Sequence, residues 1–367
     1  MGKIIFIVQH LGQPRCIKRI KTIKEAGFNV EIFGMDWGVY SDNIKLYGDI
    51  TIRKIVKTKG LSKIQKIKEY YSLVKAAEKA ANKGDIMYAF GFEMATMVHY
   101  FTKKQFVYEL ADVVAAREDS KILKYIDKRN IEKSNFTVIT SEGFAEYFYG
   151  KEYEKLIGNK LVLMPNKLSS HFNSFKRDFE NKLNTEKIRF GFVGLFRFLS
   201  IYLNFARIIG EKFPNHEFHF WGDGNDADKE KIIELTKKFN NVFLHGKFSN
   251  PNDLPKVYET IDINVVCYNN NSGNVMIAEP NKLYESIYFC KPMVASSGTF
   301  LQRKVEKMKV GFCINPKIDN EIINFISSID SKQIEVCINN EKSIESKELI
   351  DNPSNLIDRL VKCVTLY

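Results

Sequence analysis

Short apolar runs alternate with amphipathic segments from the first residues of the chain. A β-rich run at Lys3–Val8, a helical pattern over Pro14–Ala26 and a second β-rich run at Asn29–Phe33 predict a strand, a helix and a strand in succession. The same alternation continues to about residue 165. It predicts strands at Ile50–Ile55, Asp85–Phe90, Gln105–Leu110, Phe136–Thr140 and Lys160–Met164, and helices at Leu61–Asn82, Glu118–Lys133 and Glu142–Tyr149.

A second series of the same kind follows a polar, charged stretch. Its pattern predicts strands at Ile188–Val193, Glu217–Trp221, Val242–Leu244, Ile261–Cys267, Met293–Ala295 and Gly311–Ile314, and helices near Tyr202–Lys212, Lys229–Phe239, Asp253–Glu259 and Glu279–Phe289. The chain from Asp319 onward is predicted to be helical with a break at Pro353. Strands that alternate with helices form parallel sheets covered on both faces, so we predict an α/β protein with two doubly wound sheets.

The predicted domain boundaries follow from these two series. A chain of 367 residues is long for a single core and fits two domains. We predict an N-terminal Rossmann-like domain over residues 1–165, a connector over 166–187 and a C-terminal Rossmann-like domain over 188–350. A last helix within 351–367 is expected to pack back on the N-terminal domain.

Composition narrows the class of protein. Hydrophobic residues make up 44% of the chain and charged residues 27%, which excludes a disordered or collagen-like protein. The six cysteines form no CxxC pair, a pattern typical of free thiols in a reducing compartment. The apolar run at the amino terminus is too short for a signal peptide, and no segment has the ~18 apolar residues of a membrane span. We therefore predict a cytoplasmic protein.

The positive charge is concentrated in one stretch. The chain has a formal net charge of +11, and residues 51–84 contain ten Lys or Arg against two Glu. On the helix predicted there, an apolar stripe is expected to face the core while the lysines lie on other faces; its members are Leu61, Ile64, Ile67, Tyr71, Val74 and Ala81. A solvated helix face explains part of this charge, and attraction to an anionic membrane explains it as well. Nucleic acid is not an expected partner, because no nucleic-acid-binding motif accompanies the charge.

Candidate ligand-binding residues were sought where strands lead into helices, since doubly wound sheets bind ligands there. Gly194 and Arg197 follow one predicted strand, and Gly222 follows the next. A glycine lets phosphate approach the backbone and an arginine neutralises it, although a tight turn with a surface Arg fits equally well. Lys282 and Glu285 are three residues apart on a predicted helix, so they form either an exposed ion pair or a cation and a carboxylate for a nucleotide.

Two patterns that suggest metal ligands are discounted. His216 and His219 lie on a predicted strand, where residues i and i+3 point to opposite faces. Asp226 and Asp228 have the spacing of a DxD metal motif, but they lie in a polar segment in which nearby acids arise by chance. No metal site is predicted.

The order of several segments resembles a known family. The second half contains, in order, FVGLFR, FWGDG, NVFLHGKF, DLPKVYETIDINVV and EPNKLYESIYFCKPMVAS. The first half contains KIIFIVQHLGQPRCIKRIKTIKEAGFNVEIF, FVYELAD, VITSEGF and VLMPNKL. Together they resemble the GT-B glycosyltransferases of group 1, the family 4 type, over nearly the whole chain. The resemblance implies two Rossmann-like domains that face a central cleft.

The resemblance assigns nucleotide contacts to individual residues. Glu285 matches the second Glu of the Glu-x7-Glu motif, which binds the ribose, Arg197 matches the basic residue at the diphosphate, and Gly194 the turn beside it. The chain departs from the pattern at Ile277, where the first Glu is expected, and at Tyr202, where a Lys is usual. Glu279 then substitutes for the missing Glu and Lys282 for the missing charge. The remaining residues expected at the nucleotide are Gly222, Gly246 and Leu283.

The acceptor is expected to bind the N-terminal domain. Glu109 and Asp112, at the end of a predicted strand, are the best-placed catalytic carboxylates, although capping of the next helix also explains Asp112. The loop His10–Arg15 is expected to form part of the pocket floor. Arg197 and Lys282 are expected to stabilise the leaving diphosphate.

The resemblance implies transfer of a sugar from a UDP- or GDP-sugar to a growing or lipid-linked glycan, with retention of configuration, in bacterial surface-polysaccharide synthesis. It implies no cofactor and no metal. The basic stretch 51–84 fits a cytoplasmic protein that associates with the inner face of the membrane. Two alternatives stay open: a sugar-nucleotide epimerase with the same fold, and a non-catalytic subunit, which the missing Glu and Lys favour.

Overall fold

The structure is a computed structural model that describes residues 2–38, 40–175, 177, 184, 186–271 and 273–365. The chain forms two compact units. The N-terminal unit comprises Met1–Met164 and Asn352–Tyr367, and the C-terminal unit comprises Pro165–Asp351. The predicted connector, residues 166–187, includes 176, 178–183 and 185, which lie outside the described residues.

The N-terminal unit is built on a sheet of seven parallel strands in the order β3-β2-β1-β4-β5-β6-β7. The strands are β1 (Lys3–Val8), β2 (Asn29–Asp36), β3 (Thr51–Lys57), β4 (Ile86–Phe90), β5 (Phe106–Leu110), β6 (Thr137–Ile139) and β7 (Leu161–Leu163). The helices are α1 (Pro14–Glu25), α2 (Lys63–Ala80), α3 (Phe92–Phe101), α4 (Val114–Arg117), α5 (Lys121–Lys133) and α6 (Glu142–Tyr149), with 3-10 helices at Ser41–Tyr47 and Gly150–Leu156. The central strands β1, β4 and β5 are buried along almost their whole length and are mostly apolar, because helices cover both faces.

A C-terminal helix, Ser354–Thr365, completes the core of the N-terminal unit. Leu356, Leu360 and Val364 recur at i, i+4 and i+8 and are buried with side chains of β1 and β6. The last residues of the chain are therefore part of the unit formed by the first ones.

Helices α2, α3 and α5 form one layer, in which α3 contacts both neighbours. The buried face of α2 consists of Tyr70, Leu73, Val74 and Ala77. The predicted core stripe is therefore wrong for most of its members. Of that stripe Val74 is buried, whereas three members are exposed to solvent: Ile64, Ile67 and Tyr71.

The C-terminal unit has six parallel strands in the order β10-β9-β8-β11-β12-β13. They are β8 (Arg189–Leu195), β9 (Glu217–Asp223), β10 (Val242–Gly246), β11 (Ile263–Val266), β12 (Met293–Ser296) and β13 (Gly311–Ile314). The helices are α7 (Leu199–Lys212), α8 (Asp226–Lys238), α9 (Leu254–Glu259), α10 (Gly273–Ile277), α11 (Asn281–Tyr288), α12 (Phe300–Met308), α13 (Asp319–Ser328), α14 (Ser331–Ser343) and α15 (Ser346–Leu349), and Ser170–Ser174 forms a 3-10 helix.

The structure differs from the predicted elements at several helices, among them the short α10. Helix α3 was not predicted, since Phe92–Phe101 is apolar around most of its circumference. The predicted helix Glu118–Lys133 is divided into α4 and α5, and Asp119, between them, has a positive φ of 46°. Helix α12 was also not predicted, although Thr299 caps its amino terminus.

Candidate functional site

The strand order of the C-terminal unit determines where a ligand can bind. The order in which successive strands are added to the sheet reverses between β8 and β11. These two parallel strands are neighbours in the sheet, although β9 and β10 lie between them in the sequence. At such a switch point the loops leaving the two strands turn to opposite faces and open a crevice at their carboxyl ends. The residues that follow β8 and β11 therefore border the candidate site.

Two glycines hold the ends of β8 and β9 close together. Gly194 and Gly222 are paired in the sheet, and each has a φ of 145°, where residues with a side chain rarely occur. A Cβ atom built on Gly222 would overlap the carbonyl oxygen of Gly194. The close approach of these two strand ends therefore requires glycine at 222.

A lysine lies against the backbone at the end of β8. A Cβ built on Gly194 would be 3.4 Å from Cε and 3.9 Å from Nζ of Lys282. Lys282 is the second residue of α11 and is only 8% exposed. The ammonium is thus fixed at the switch point, beside the amino end of a helix.

Glu285 holds this lysine in place. Its Oε2 accepts hydrogen bonds from Lys282 Nζ at 2.6 Å and from the Tyr258 hydroxyl at 2.8 Å. Its Oε1 accepts one from Asn281 Nδ2 at 2.7 Å. Glu285 is 3% exposed, so the predicted pair of Lys282 and Glu285 is an interior ion pair rather than a solvated one.

Tyr258 joins this network from another helix and was not predicted as a site residue. Burial and the neighbouring Glu285 carboxylate raise the pKa of Tyr258 well above its usual range, so its hydroxyl stays a donor. Its ring stacks on Phe289 at 4.7 Å between centroids. Asn264 and Ser286 extend the network through the Asn264 side-chain amide, which is 2.7 Å from Ser286 Oγ.

Arg197 follows β8 and is exposed. Burial and the charge of Glu285 raise the pKa of the Tyr268 hydroxyl, and the positive charge of Arg197 acts to lower it. Tyr268 therefore lies within electrostatic reach of both Arg197 and Glu285. Tyr268 also packs against Phe198, with 5.9 Å between ring centroids. The structure thus brings Arg197 to the same strand ends as Lys282.

The carboxyl edge of the N-terminal sheet carries a separate polar cluster. His10 stacks on Trp37 at 4.9 Å between ring centroids, and the Trp37 indole donates to the Gln9 carbonyl oxygen at 2.6 Å. Partial burial lowers the pKa of His10, while the Asp112 carboxylate acts to raise it. Arg15 donates to the Ala111 carbonyl oxygen at 3.1 Å and ties the first loop to the end of β5.

Glu109 lies below this cluster, with no exposed surface. Arg19 Nε donates to both of its carboxylate oxygens, at 3.2 and 3.1 Å. The hydroxyl of Tyr88 donates to Oε2 as well. All three side chains come from elements of the N-terminal unit, namely α1, β4 and β5.

Comparisons with known proteins give structural neighbours only. No family model matches the chain, and no curated protein matches it. Among solved structures, it is similar to Anabaena HepE in complex with UDP and glucose, with a TM-score of 0.69 at 13% identity over 100% of both chains. It is also similar to sucrose-phosphate synthase from Thermosynechococcus elongatus, with a TM-score of 0.69 at 13% identity over 98% of both chains. The lipopolysaccharide outer core galactosyltransferase WaaB aligns with a TM-score of 0.65 at 14% identity, over 98% of this chain and 99% of WaaB.

These neighbours share one architecture of two Rossmann-like units. The chain has the GT-B fold. The prediction of the fold class is confirmed, while identities of 13 to 14% leave the family 4 label unconfirmed.

Leu283, Glu279 and Glu109 do not have the surroundings that their predicted roles require. Leu283 is 1% exposed in the core, and its backbone N–H donates to the Pro280 carbonyl oxygen at 3.2 Å, so its predicted nucleotide contact is corrected to a packing role. Glu279 is buried and bonded to the Tyr284 hydroxyl, and Lys304 Nζ lies 3.5 Å from Oε2. Its carboxylate is therefore directed toward α12 rather than toward the Lys282 network.

The predicted role of Glu109 is corrected on the same grounds. A carboxylate with no exposed surface and a bidentate arginine does not reach an acceptor hydroxyl in this structure. It positions α1 against the sheet instead. Asp112 is exposed next to His10 and remains the acceptor-side candidate.

Two other positions can be placed. Gly246 ends β10 with a φ of 85° and has no neighbour within 4 Å of a built Cβ, so its backbone faces open space. Tyr202, where the resemblance expects Lys, is fully buried against Phe192, and its hydroxyl has no hydrogen-bond partner among the described residues.

The discounted metal patterns have structural roles. Asp228 pairs with the capping residue Asn225, and Asp226 pairs with Lys229 in the first turn of α8. His219 packs against the Phe243 ring and shares a hydrogen bond of 2.8 Å with His245. Within the part of the chain that the structure describes, no three His, Cys, Asp or Glu side chains are grouped to hold a metal ion. All six cysteines are free.

Proposed function

We propose that this chain is a glycosyltransferase that moves a sugar from a nucleotide-sugar donor to a glycan acceptor. One observation carries the proposal: the ammonium of Lys282, fixed by Glu285 against Gly194 at the switch point of a GT-B unit. A buried cation beside half-buried glycine backbone is suited to a diphosphate, the leaving group of sugar transfer.

The chemistry assigned to the donor side follows from these contacts. Lys282 and Arg197 neutralise the negative charge that grows on the diphosphate as the sugar leaves, and the amino end of α11 adds its dipole. Glu285 positions Lys282. A carboxylate can accept about four hydrogen bonds, and Glu285 accepts three, from Tyr258, Asn281 and Lys282. One acceptor site on Glu285 therefore remains for a ribose hydroxyl.

The acceptor, the stereochemistry and the location are finer parts of the proposal. Asp112 and His10, at the carboxyl edge of the N-terminal sheet, are the groups proposed to orient the acceptor hydroxyl. We propose retention of configuration and a growing or lipid-linked glycan of a bacterial surface polysaccharide. The names of the neighbours HepE and WaaB, a UDP complex and a lipopolysaccharide galactosyltransferase, support this class of reaction. Contact of the basic stretch 51–84 with an anionic membrane fits a lipid-linked acceptor.

A calorimetric panel of UDP, GDP, CDP and ADP tests the donor site. One nucleotide is expected to bind, and Lys282→Gln is expected to weaken its binding by roughly tenfold or more, because a charge-assisted contact to phosphate is lost. Glu285→Ala is expected to lower donor affinity as well, since the lysine loses its partner. Lys256→Gln, an exposed lysine on α9, is the matched control and should bind as the wild type does.

The panel and an incubation of the donor sugar nucleotide without acceptor together separate the alternatives. Binding that Lys282→Gln leaves unchanged would refute the placement of the diphosphate. A sugar-nucleotide epimerase would convert its donor without any acceptor, whereas a transferase requires one. A folded protein that binds none of the nucleotides would indicate a non-catalytic subunit.

A further inference from the structure

Helix α2 presents apolar side chains to solvent in a single stripe. Ile64 is 69% exposed, Ile67 54% and Tyr71 44%, and the three follow one another at i, i+3 and i+7. Single exposed apolar residues are ordinary, but a stripe of large ones on one helix face marks an interaction surface. The neighbouring face of the same helix, with Tyr70, Leu73, Val74 and Ala77, is buried in the unit, so this stripe is additional to its core face.

Helix α5 repeats the arrangement in the same helix layer. Ile122 is 73% exposed and Tyr125 is 66% exposed, again at i and i+3. Helix α3 lies between the two helices and contacts both of them. Tyr71 packs edge-on against Phe101 of α3, 5.3 Å between ring centroids, and Phe101 is itself 47% exposed.

Both stripes lie at the same edge of the sheet. Each of these helices follows the carboxyl end of a parallel strand, α2 after β3 and α5 after β5 and α4. Their first turns are therefore at the edge that carries His10 and Asp112. Lys66 of α2 places its ammonium 4.6 Å from the centre of the Trp37 ring, which stacks on His10.

The apolar stripes are bordered by positive charge. Lys63 and Lys68 flank the stripe of α2 and are exposed, and neither has an ion-pair partner among the described residues. On α5, Lys121 is exposed beside Ile122, and the half-buried Lys128 places its ammonium 5.0 Å from the centre of the Tyr149 ring. Exposed apolar side chains bordered by lysines are the combination that binds the interface of an anionic bilayer, where the lysines meet headgroup phosphates and the apolar groups enter below them.

We propose that α2 and α5 dock the N-terminal unit on an anionic lipid bilayer, with Ile64, Ile67, Ile122 and Tyr125 in the headgroup region. Charge complementarity selects this partner, because residues 51–84 contain ten Lys or Arg against two Glu, and Lys63 and Lys68 have no ion-pair partner in the part of the chain that the structure describes. The edge with His10 and Asp112 then lies at the membrane. Docking on the bilayer rests on the proposed function in one respect only: it gives a lipid-linked acceptor a short path to the edge that carries His10 and Asp112.

Co-sedimentation of the full chain with vesicles tests the proposal without nucleotide or acceptor. Vesicles of phosphatidylglycerol and phosphatidylcholine are expected to bind the protein at low salt, and phosphatidylcholine alone is not. Ile64→Ser with Ile67→Ser, and separately Lys63→Gln with Lys68→Gln, should each weaken binding by about tenfold or more. The matched controls lie in the C-terminal unit: Val336→Ser, an apolar residue 50% exposed on α14, and Lys231→Gln with Lys237→Gln on α8.

Each outcome decides the proposal. Loss of binding in the α2 variants but not in their controls supports it. No binding of the wild type to anionic vesicles, or equal binding by the α2 variants, overturns it, as does a dimer in sedimentation that the α2 substitutions dissociate. Nucleotide binding that depends on Lys282 while vesicle binding fails would overturn the membrane role and leave the proposed function standing.

Discussion

Glu109 is a fully buried carboxylate bonded to Arg19 and Tyr88, and its burial determines what a substitution does. Glu109→Ala removes the partner of the Arg19 guanidinium, which is itself only 7% exposed. An uncompensated buried charge costs about 3–5 kcal/mol, so we expect the free energy of unfolding to fall by that order. Urea unfolding measures it. Asp112→Ala, at an exposed position nearby, is the control and should change stability by about 0.5 kcal/mol or less. Equal effects of the two substitutions would contradict the positioning role.

The sequence identified some members of the Lys282–Glu285 network and missed others for a physical reason. Lys282 and Glu285 were found because residues three apart on a helix share a face, a relation that is local in sequence. Asn281, four before Glu285, carries the same signal and could have been included. Tyr258 reaches Glu285 from a helix 27 residues away, and no local pattern reports such a contact. The burial of Glu109 likewise depends on Arg19, ninety residues away.

The paired ends of β8 and β9 make a prediction at the level of elements. Gly222→Ala places a methyl group against the Gly194 carbonyl oxygen at a φ of 145°, so one strand end must move. We expect a loss of roughly 2–3 kcal/mol of stability. Gly246→Ala is the matched comparison, because its φ of 85° is also positive but nothing lies within 4 Å, and its expected cost is about 1 kcal/mol. Denaturant unfolding of both variants checks the difference. A smaller loss at 222 than at 246 would contradict it.

At the same scale, the sequence predicted the elements better than their faces. Alternation of strands and helices is repeated along the whole chain, and every predicted strand has a counterpart in the structure. Helix α2 has two adjacent apolar stripes, one through Leu73 and Ala77 and the other through Ile64 and Tyr71. Helical periodicity allows either to face the core. The choice depends on contacts with β1 to β3, which are distant in sequence.

At the scale of the whole molecule, each unit buries a carboxyl group that has no ion-pair partner among the residues that the structure describes. In the N-terminal unit, burial raises the pKa of Asp127 to about 7. The hydrogen bond from the Tyr108 hydroxyl acts to lower this pKa, and the charge of Glu93 acts to raise it. In the C-terminal unit, burial raises the pKa of Glu341 well above its usual range, although Arg177 and Lys291 oppose this. Both groups bind protons more tightly in the folded chain. The free energy of unfolding therefore increases as pH falls from about 8. Below pH 6.5, the usual pKa of histidine, buried histidines oppose this trend, because they bind protons in the unfolded chain but stay neutral in the folded one; the pKa of His219 is lowered to about 4.

Asp127→Asn isolates one of these groups. The carboxyl of Asp127 has a pKa near 3.8 in the unfolded chain and about 7 in the folded one. Its contribution to the free energy of unfolding is therefore complete below pH 3.8 and is lost as pH rises through about 7. The neutral amide keeps an oxygen for the Tyr108 hydroxyl, which donates to Asp127 Oδ1 at 2.8 Å, and avoids ionisation of Oδ2, which has no partner among the described residues. We expect the variant to be more stable than the wild type by up to about 4 kcal/mol at pH 8 and by about half as much at pH 5.5. Urea unfolding at the two pH values measures this, and a gain that is the same at both would show that Asp127 does not titrate in this range.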